Sequence, residues 1–525
     1  MIVRRIDTSP DRVFAAAGRP ILTGFAEQKA PRIEGDEITW GSDPDLFEVG
    51  IVARVDRDGD RTRVSLTSTY RVPIPYFGWL YRPLVRSAVR RSLEHVADVI
   101  EARALGRAEP PSPPRPVWLA RDAITSRQAA TIATIAMTLV LAGFGGGLFT
   151  QTVDFVAKSF HATDADLGVA LALTRIGTLV GIAGAALADR RGRRRIMLVS
   201  VAGVCTASAL TALAPNLAAF TVIQVFVRGF VQLATVVGFI AITEEAPEAS
   251  RAFLLAIGGM AAGAGFAIGA AMLPVAEIRP GAWRLMFAVA GLGLLALPGL
   301  ARRLHETGRY TAMGGRAAGA RAGELVDSVY GGRFVLVAVL VFLLGFFGTP
   351  SLQFTNRYLQ DERGFTALGI VWLRGVTQSL PALVAIIMGG RLAESRGRKP
   401  IASRSTFVLA LGSAGFFLWS GAALWVALLI GTIAGAMSGP AMTSFSTELF
   451  PTEVRGRAAG ALLGAGVAGS VAGLLLVGYL ADPLGGVGHA VAVTCVVPLV
   501  VAIFLIPRLP EGRGRALDEL SPPEV

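Results

Sequence analysis

Apolar and polar residues follow two regimes along this chain. Up to about residue 105 they are interleaved, whereas from 128 to 507 the apolar residues form long stretches almost free of charge. Charge-free runs cover 128–153, 196–227, 252–276, 285–301, 334–356, 405–447, 458–481 and 483–507, and the segments 167–188 and 364–390 hold one arginine each. The run 405–447 is long enough for two helices joined near Gly421, and 196–243 can fold back near Pro215. About 20 helical residues cross roughly 30 Å of hydrocarbon. The pattern therefore predicts 12 membrane spans, the sixth starting near Trp283. Twelve such helices in succession would need an implausibly large soluble core.

The interleaved region predicts a small α+β domain. Ser9 reads as an N-cap and Pro10 as the first residue of a short helix through Ala17. Segments 31–40, 46–55 and 61–72 alternate as strands, with Asp58-Gly59 turning between the last two. From Phe77 to Ala104, the spacing of Leu80, Leu84, Val89, Leu93, Val96 and Val99 gives one apolar helix face. Five prolines between 110 and 116 mark a linker. Trp40, Phe47, Val49, Val52, Tyr70, Trp79 and Leu93 are candidates for a lipid-sized pocket or an ordinary core. Tyr76, Phe77, Trp79 and Tyr81, followed by Arg82, Arg86 and Arg90, suit contact with lipid headgroups.

Charge distribution adds orientation. The chain carries +12 at pH 7, but 19 Arg/Lys fall in the loops 189–195, 244–251, 301–333, 391–404 and 448–457, against five on the other side. By the positive-inside rule the basic loops are cytoplasmic, and both termini with them. This topology absorbs the positive charge, so a nucleic-acid partner is not expected. Arg4, Arg5 and Asp7 appear without a signal-type apolar segment, which also places the first domain in the cytoplasm. Cys205 and Cys495 both lie in apolar runs and cannot build a disulfide framework or thiolate metal site. His95, the one histidine of the first domain, has Ser92 a turn away and no third group to orient it, so no enzyme, cofactor or metal is expected.

Two sequence pairs recur at nearly one offset. Leu187-Ala188-Asp189-Arg190-Arg191-Gly192-Arg193-Arg194 after the second span matches Leu392-Ala393-Glu394-Ser395-Arg396-Gly397-Arg398-Lys399 after the eighth, 205 residues on. Glu244, Pro247 and Arg251 after the fourth span match Glu448, Pro451 and Arg455 after the tenth, 204 residues on. Two six-span halves related along the membrane normal explain both. On these motifs the chain, over about 129–507, resembles the major facilitator superfamily. The resemblance implies a mainly α, 12-transmembrane-helix fold in two six-helix halves, to which the small N-terminal α+β cytoplasmic domain is attached.

The expected organisation is the cytoplasmic domain at 1–105, a Pro-rich linker at 106–128, the first half at 129–300, an inter-half loop at 301–332, the second half at 333–507 and a cytoplasmic tail at 508–525. The order of elements in 1–104 resembles, at pattern level, the polyketide-cyclase or START-like helix-grip fold. The sequence departs from the family loop at Ala185, Glu394 and Ser395.

The repeated loops supply candidate gate residues. Asp189, Gly192, Arg193, Arg194, Glu244, Pro247 and Arg251 serve one half, and Glu394, Gly397, Arg398, Lys399, Glu448, Pro451 and Arg455 the other. Asp189 can cap a neighbouring helix or pair with an arginine such as Arg251, contacts that must break when the halves rock.

Charges inside spans are candidate substrate or coupling groups, because burying them beside lipid costs about 2.5–3.5 kcal/mol. Arg228, with Gln232 one turn on, lies near mid-depth. Arg175, about 21 Å along a helix from Asp189 by the 1.5 Å rise, lies in the outer half of its span, and Arg374 near the outer boundary. Asp154 belongs at the outer mouth and is the best extracellular-side proton carrier in a chain with no carboxylate mid-way through its first span. Gly345–Pro350 is a candidate helix break, and Gln353, Asn356, Gln378, Trp372 and Trp283 are candidate contacts.

The resulting expectation is a monomeric, multi-pass secondary active transporter of the plasma (inner) membrane. It moves a small organic solute, anionic or amphipathic, by alternating access, with protons as candidate coupling ion and lipids as surroundings. Efflux of an amphipathic compound or lipid is the alternative, and a non-transporting receptor sensing ligand through the N-terminal domain is the reading from another class.

Overall fold

The computed structural model describes residues 2–510 except 20, 22–30, 42–47, 59–60, 73, 115, 117–118, 120–123, 248–249, 307–330 and 449–451. Phe47, Gly59, Pro451, most of the expected inter-half loop and the tail from 511 lie outside the described residues. The chain divides into two compact units. One is Met1–Thr138, Gly238–Ala261 and Gly299–Ala312; the other is Leu139–Val237, Ala262–Pro298 and Met313–Val525.

In the first unit, strands β1 (Ile2–Ile6), β2 (Arg32–Glu34), β3 (Glu37–Gly41), β4 (Glu48–Asp58) and β5 (Arg61–Arg71) form one antiparallel sheet, ordered β1-β5-β4-β3-β2. The segment expected as one strand over 31–40 is a hairpin. Gly35, at φ 60°, and Asp36 turn the chain so that Glu34 opposes Glu37, the glycine at the first turn position supplying the positive φ that such a turn requires. β1 is an additional edge strand, pairing Ile2 with Leu66 and Ile6 with Thr62.

Alternation on β5 buries Thr62, Val64 and Leu66. Helix α1 (Pro10–Ala17) and the 27-residue α2 (Gly78–Ala104) contribute Val13, Val85, Val89, Leu93, Val96 and Ile100 to the core they share with Trp40 and Ile51. Trp40, Val49 and Leu93 are therefore core, whereas Tyr70 and Trp79 are exposed, Trp79 at 70%. Tyr76 adopts φ 64°, an uncommon region for a bulky side chain. Its ring lies under the Arg303 guanidinium at 5.6 Å, and its hydroxyl would stand 3.5 Å from a Cβ on Gly299.

The apolar runs become helices α3 (Ser126–Phe160), α4 (Asp164–Arg191), α5 (Arg193–Thr211), α6 (Leu217–Glu245), α7 (Arg251–Ala271), α8 (Leu273–Glu277), α9 (Trp283–Gly291), α10 (Leu297–Arg303), α11 (Gly331–Gln353), α12 (Ala367–Arg374), α13 (Leu380–Arg396), α14 (Arg398–Leu418), α15 (Ala422–Glu448), α16 (Thr452–Ala481) and α17 (Val487–Thr494). Eleven segments among the described residues are long and apolar enough to cross a membrane, a multi-pass fold. The 28-residue α4, whose one charge between Leu167 and Ala188 is Arg175, is comparable in length.

Helices α5 and α6 turn between Thr211 and Leu217, where the Arg284 guanidinium donates to the Ala212 and Ala214 carbonyls at 2.9 and 2.8 Å. Helices α14 and α15 turn at Gly421 with φ 61°. Trp283 is buried in an edge-to-face cluster with Phe160, Phe220 and Phe287, ring centroids 5.7–5.8 Å apart.

Several spans among the described residues depart from a plain α-helix, including Trp283–Arg303, with a 3-10 stretch at Leu292–Ala296, and Val487–Arg508, with a π-helical turn at Val501–Leu505. The break expected over Gly345–Pro350 falls later: α11 continues through Pro350 to Gln353, followed by a short turn and a π-helical segment at Tyr358–Glu362. In the next span a π-helical turn, Gly375–Ser379, separates α12 from α13. Pro381 just beyond it has no N–H to return to the preceding turn, which loosens the ladder there.

Candidate functional site

The repeated loops have one backbone geometry. Gly192 joins α4 to α5 at φ 90°, ψ 145°, and Gly397 joins α13 to α14 at φ 101°, ψ 148°. Each donates its N–H to the carbonyl four residues back, Ala188 at 3.0 Å and Ala393 at 3.1 Å. Only glycine reaches this region without strain, which accounts for the residue type at both positions. Arg193 is buried, its Nη1 3.4 Å from the Ala188 carbonyl, while Arg194 is exposed and Arg398 and Lys399 are half-buried.

Glu244 and Pro247 are half-buried at and after the end of α6. Arg251 opens α7, its Nε buried without a hydrogen-bond partner among the described residues. The side chains of Asp189, Glu394, Glu448 and Arg455 lie outside the described residues, so the expected pairing of Asp189 has no described geometry.

At the ends of the spans opposite the Gly192 and Gly397 turns, charges link α3 and the start of α4 to the segment between α11 and α12. Asp154, near the end of α3, is 1% exposed, and Arg357, just after α11, is 13% exposed in its side chain. Arg357 Nη1 donates to Asp154 Oδ1 at 2.6 Å and its Nε to Asp164 Oδ1 at 3.1 Å, while Nη2 is 3.4 Å from Asp361. Lys158, one helical turn from Asp154, reaches Asp154 Oδ2 at 2.7 Å and Asp361 at 3.7 Å. Two cations thus hold three carboxylates. Such charge-assisted, partly buried pairs are the strong kind, and breaking one leaves a charge stranded.

Further contacts lie around this network. The Ala367 N–H at the start of α12 donates to Glu277 Oε1 of α8 at 2.6 Å. Backbones of α4 and α16 touch: a Cβ on Gly168 would stand 2.9 Å from the Gly478 Cα and 2.8 Å from the Leu474 carbonyl oxygen. Thr150 donates to Gln353, and Asn356 Nδ2 donates to the Gln151 carbonyl at 2.8 Å and to its Oε1 at 3.0 Å. Arg374 Nη1 donates to the same Oε1 at 3.1 Å.

Arg175 and Arg228 lie on neighbouring helices. A Cβ on Gly177 of α4 would stand 2.1 Å from the Val225 carbonyl oxygen and 3.1 Å from the Arg228 Cβ. The two guanidinium groups repel one another, and neither pairs with a carboxylate among the described residues; each Nε is buried without a hydrogen-bond partner. Gln232 is half-buried one turn from Arg228. The structure therefore brings Asp154 to Arg357 and Arg374 to Gln151, both across contacts of α3 with the 357–374 stretch, with Arg175 and Arg228 as a second pair. Sequence reasoning did not single out Lys158, Asp164, Arg357 or Asp361. Their one signal was position, in the sparsely charged stretches on the side opposite the basic loops.

A family model for the Major Facilitator Superfamily matches residues 135–463 and 358–522. Among curated proteins the chain is similar to YwtG of Bacillus subtilis (strain 168), a protein named for metabolite transport, at 23% identity over 432 residues, covering 73% of this chain and 92% of that one. Among solved structures it is similar to a D-xylose-proton symporter (18% identity, TM-score 0.63, 74% of this chain and 99% of that one). It is also similar to the inward open conformation of the xylose transporter XylE from E. coli (18% identity, TM-score 0.62, 75% and 99%).

Proposed function

For this chain, which belongs to the major facilitator superfamily, we propose secondary active transport of a small organic solute by alternating access through two six-helix halves, 12 spans in all. The observation that carries the reading is the ionic seal from Asp154 and Asp164 to Arg357, set at the ends of the spans opposite the Gly192 and Gly397 turns. A seal at one end that joins the halves, and repeated turns at the other, are the parts a rocking mechanism requires. The basic turns face the cytoplasm of a plasma (inner) membrane, as the charge asymmetry favours. The sealed end then faces outward, and the described state is closed to the outside.

The residues of the repeated loops form the inner gate, with Asp189, Glu394, Glu448 and Arg455 among them. Protons are the coupling ion in this reading, supported by the symporter named among the similar structures. Asp154 is the carboxylate best placed to exchange one when the outer seal opens. The five-stranded sheet and long α2 of the N-terminal domain support a START-like helix-grip arrangement with a packed core.

The test is flux of a labelled solute, chosen by thermal-shift screening, into sealed proteoliposomes holding the full chain. Uptake accelerated by an imposed pH gradient is the expected result. Binding without flux under any gradient would replace the transporter reading with the receptor one, and outward-only flux would favour efflux.

A further inference from the structure

Buried polar atoms are almost always hydrogen-bonded, so a cluster in which several are not marks a place where something else binds. Such a cluster lies directly inside the outer seal. Gln151 is on α3 one turn before Asp154, about 4.5 Å nearer the centre of the span. Gln151 and Asn356 are fully buried, and Arg374 is 7% exposed.

The hydrogen bonds they make leave a defined remainder. Gln151 Oε1 accepts from both Asn356 Nδ2 and Arg374 Nη1. Arg374 Nε, Arg374 Nη2 and Gln151 Nε2 have no partner among the described residues, and neither has Asn356 Oδ1. Nε–H and Nη2–H are the two parallel donors along one edge of a guanidinium, the edge that grips both oxygens of a carboxylate. Gln151 fixes the remaining nitrogen, so the fork is oriented before any ligand arrives. The π-helical turn that begins at Gly375 immediately follows Arg374, and such irregular turns recur where spans carry functional side chains.

Charge selects among ligands. Arg374 is permanently cationic and pairs with no carboxylate among the described residues. The three nearby aspartates, Asp154, Asp164 and Asp361, are taken up by Arg357 and Lys158. Arg175 and Arg228 add two more buried cations without acidic partners. A water molecule could occupy the fork but would leave the charge uncompensated, which is the costly part.

Resting on the transporter reading above, we propose that the solute is an organic acid whose carboxylate engages the Nε/Nη2 edge of Arg374, with the Gln151 amide as third donor. The Asn356 carbonyl oxygen then accepts from a hydroxyl or amine elsewhere on the solute. This sets the chain apart from carriers of neutral sugars.

The experiment uses the purified full chain in detergent and matched pairs of probes: gluconate against glucose, succinate against 1,4-butanediol, and benzoate against benzyl alcohol. At least one acid should raise the unfolding temperature where its neutral analogue does not. Arg374→Gln should weaken that acid by about 30-fold or more, the loss expected when one partner of a buried charged hydrogen bond is truncated. Arg374→Lys, which keeps the charge without the fork, should recover only part of it. Should Arg374→Gln not fold, Gln151→Ala removes the third donor and should weaken the acid while leaving neutral probes unaffected.

Failure of every acid to shift the protein overturns the proposal. So does a neutral probe that binds as well as its acid and survives Arg374→Gln. Neutral solute carried into proteoliposomes by Arg374→Gln at the wild-type rate leaves the transporter standing and removes this site. Acid binding without flux does the reverse.

Discussion

Replacing Arg357 by Gln tests whether the ionic seal holds the outer end closed. In the closed state Asp154 is 1% exposed and sits 2.6 Å from Arg357. In the proposed cycle water reaches that carboxylate once the halves part, so removing Arg357 strands a charge only in the closed state. Breaking a buried pair by removing one partner costs about 3–5 kcal/mol. Lys158 remains at 2.7 Å from Asp154, which argues for the lower figure, about 3 kcal/mol, or roughly 100-fold in the closed-to-open ratio at 1.4 kcal/mol per factor of ten.

Spin labels at Leu213→Cys in the first half and Trp419→Cys in the second, both exposed, read the outer separation by double electron–electron resonance in a background lacking Cys205 and Cys495. Arg357→Gln should add a longer distance to the distribution. Arg357→Lys, which keeps the charge but has a single ammonium in place of the fork that holds both Asp154 and Asp164, should give a smaller change. An unchanged distribution in Arg357→Gln, with unchanged flux, refutes the assignment of this network as a gate.

Three other outcomes follow from the same geometry. Gly168→Leu or Gly478→Val places a side chain where backbones of α4 and α16 are about 2.9 Å from a Cβ; the same spin-label pair should report wedging, with flux lost and the protein still folded. Gly192→Ala and Gly397→Ala each force an alanine into φ near 90–101°, at a cost of about 1–3 kcal/mol, measurable as a lowered unfolding temperature that Cys205→Ala does not reproduce. Asp189→Asn should slow exchange across proteoliposomes while solute affinity by thermal shift stays within about threefold; equal loss of affinity at unchanged saturated exchange would remove Asp189 from the gate.

The spans were legible because a hydrocarbon layer imposes long uncharged runs, and the reversals near Pro215 and Gly421 were legible because runs too long for one span must fold back. The Gly192 and Gly397 turns could be found because the same residues recur at a fixed offset. The seal could not be found that way. Asp154, Lys158 and Asp164 are about 200 residues from Arg357 and Asp361, and no periodicity in sequence encodes a pairing over that distance. Asp154 was placed at the outer mouth by counting residues, but its partners required coordinates. β1 escaped notice because two arginines interrupt a five-residue edge strand. The Gly35-Asp36 hairpin carried a turn signal, but β2 is three residues long and exposed throughout, so no buried face marks it as a separate strand. The π-helical turn after Arg374 had one herald, Pro381, whose effect falls on the preceding turn instead of on its own position.

The contact between Gly168 and Gly478 has a consequence for how solute leaks are prevented. Where two main chains meet without side chains between them, there is no flexible filler to lean aside and admit a stray molecule. Such a join is either shut or fully parted, so in the proposed cycle this end of the bundle has no half-width setting through which ions could trickle.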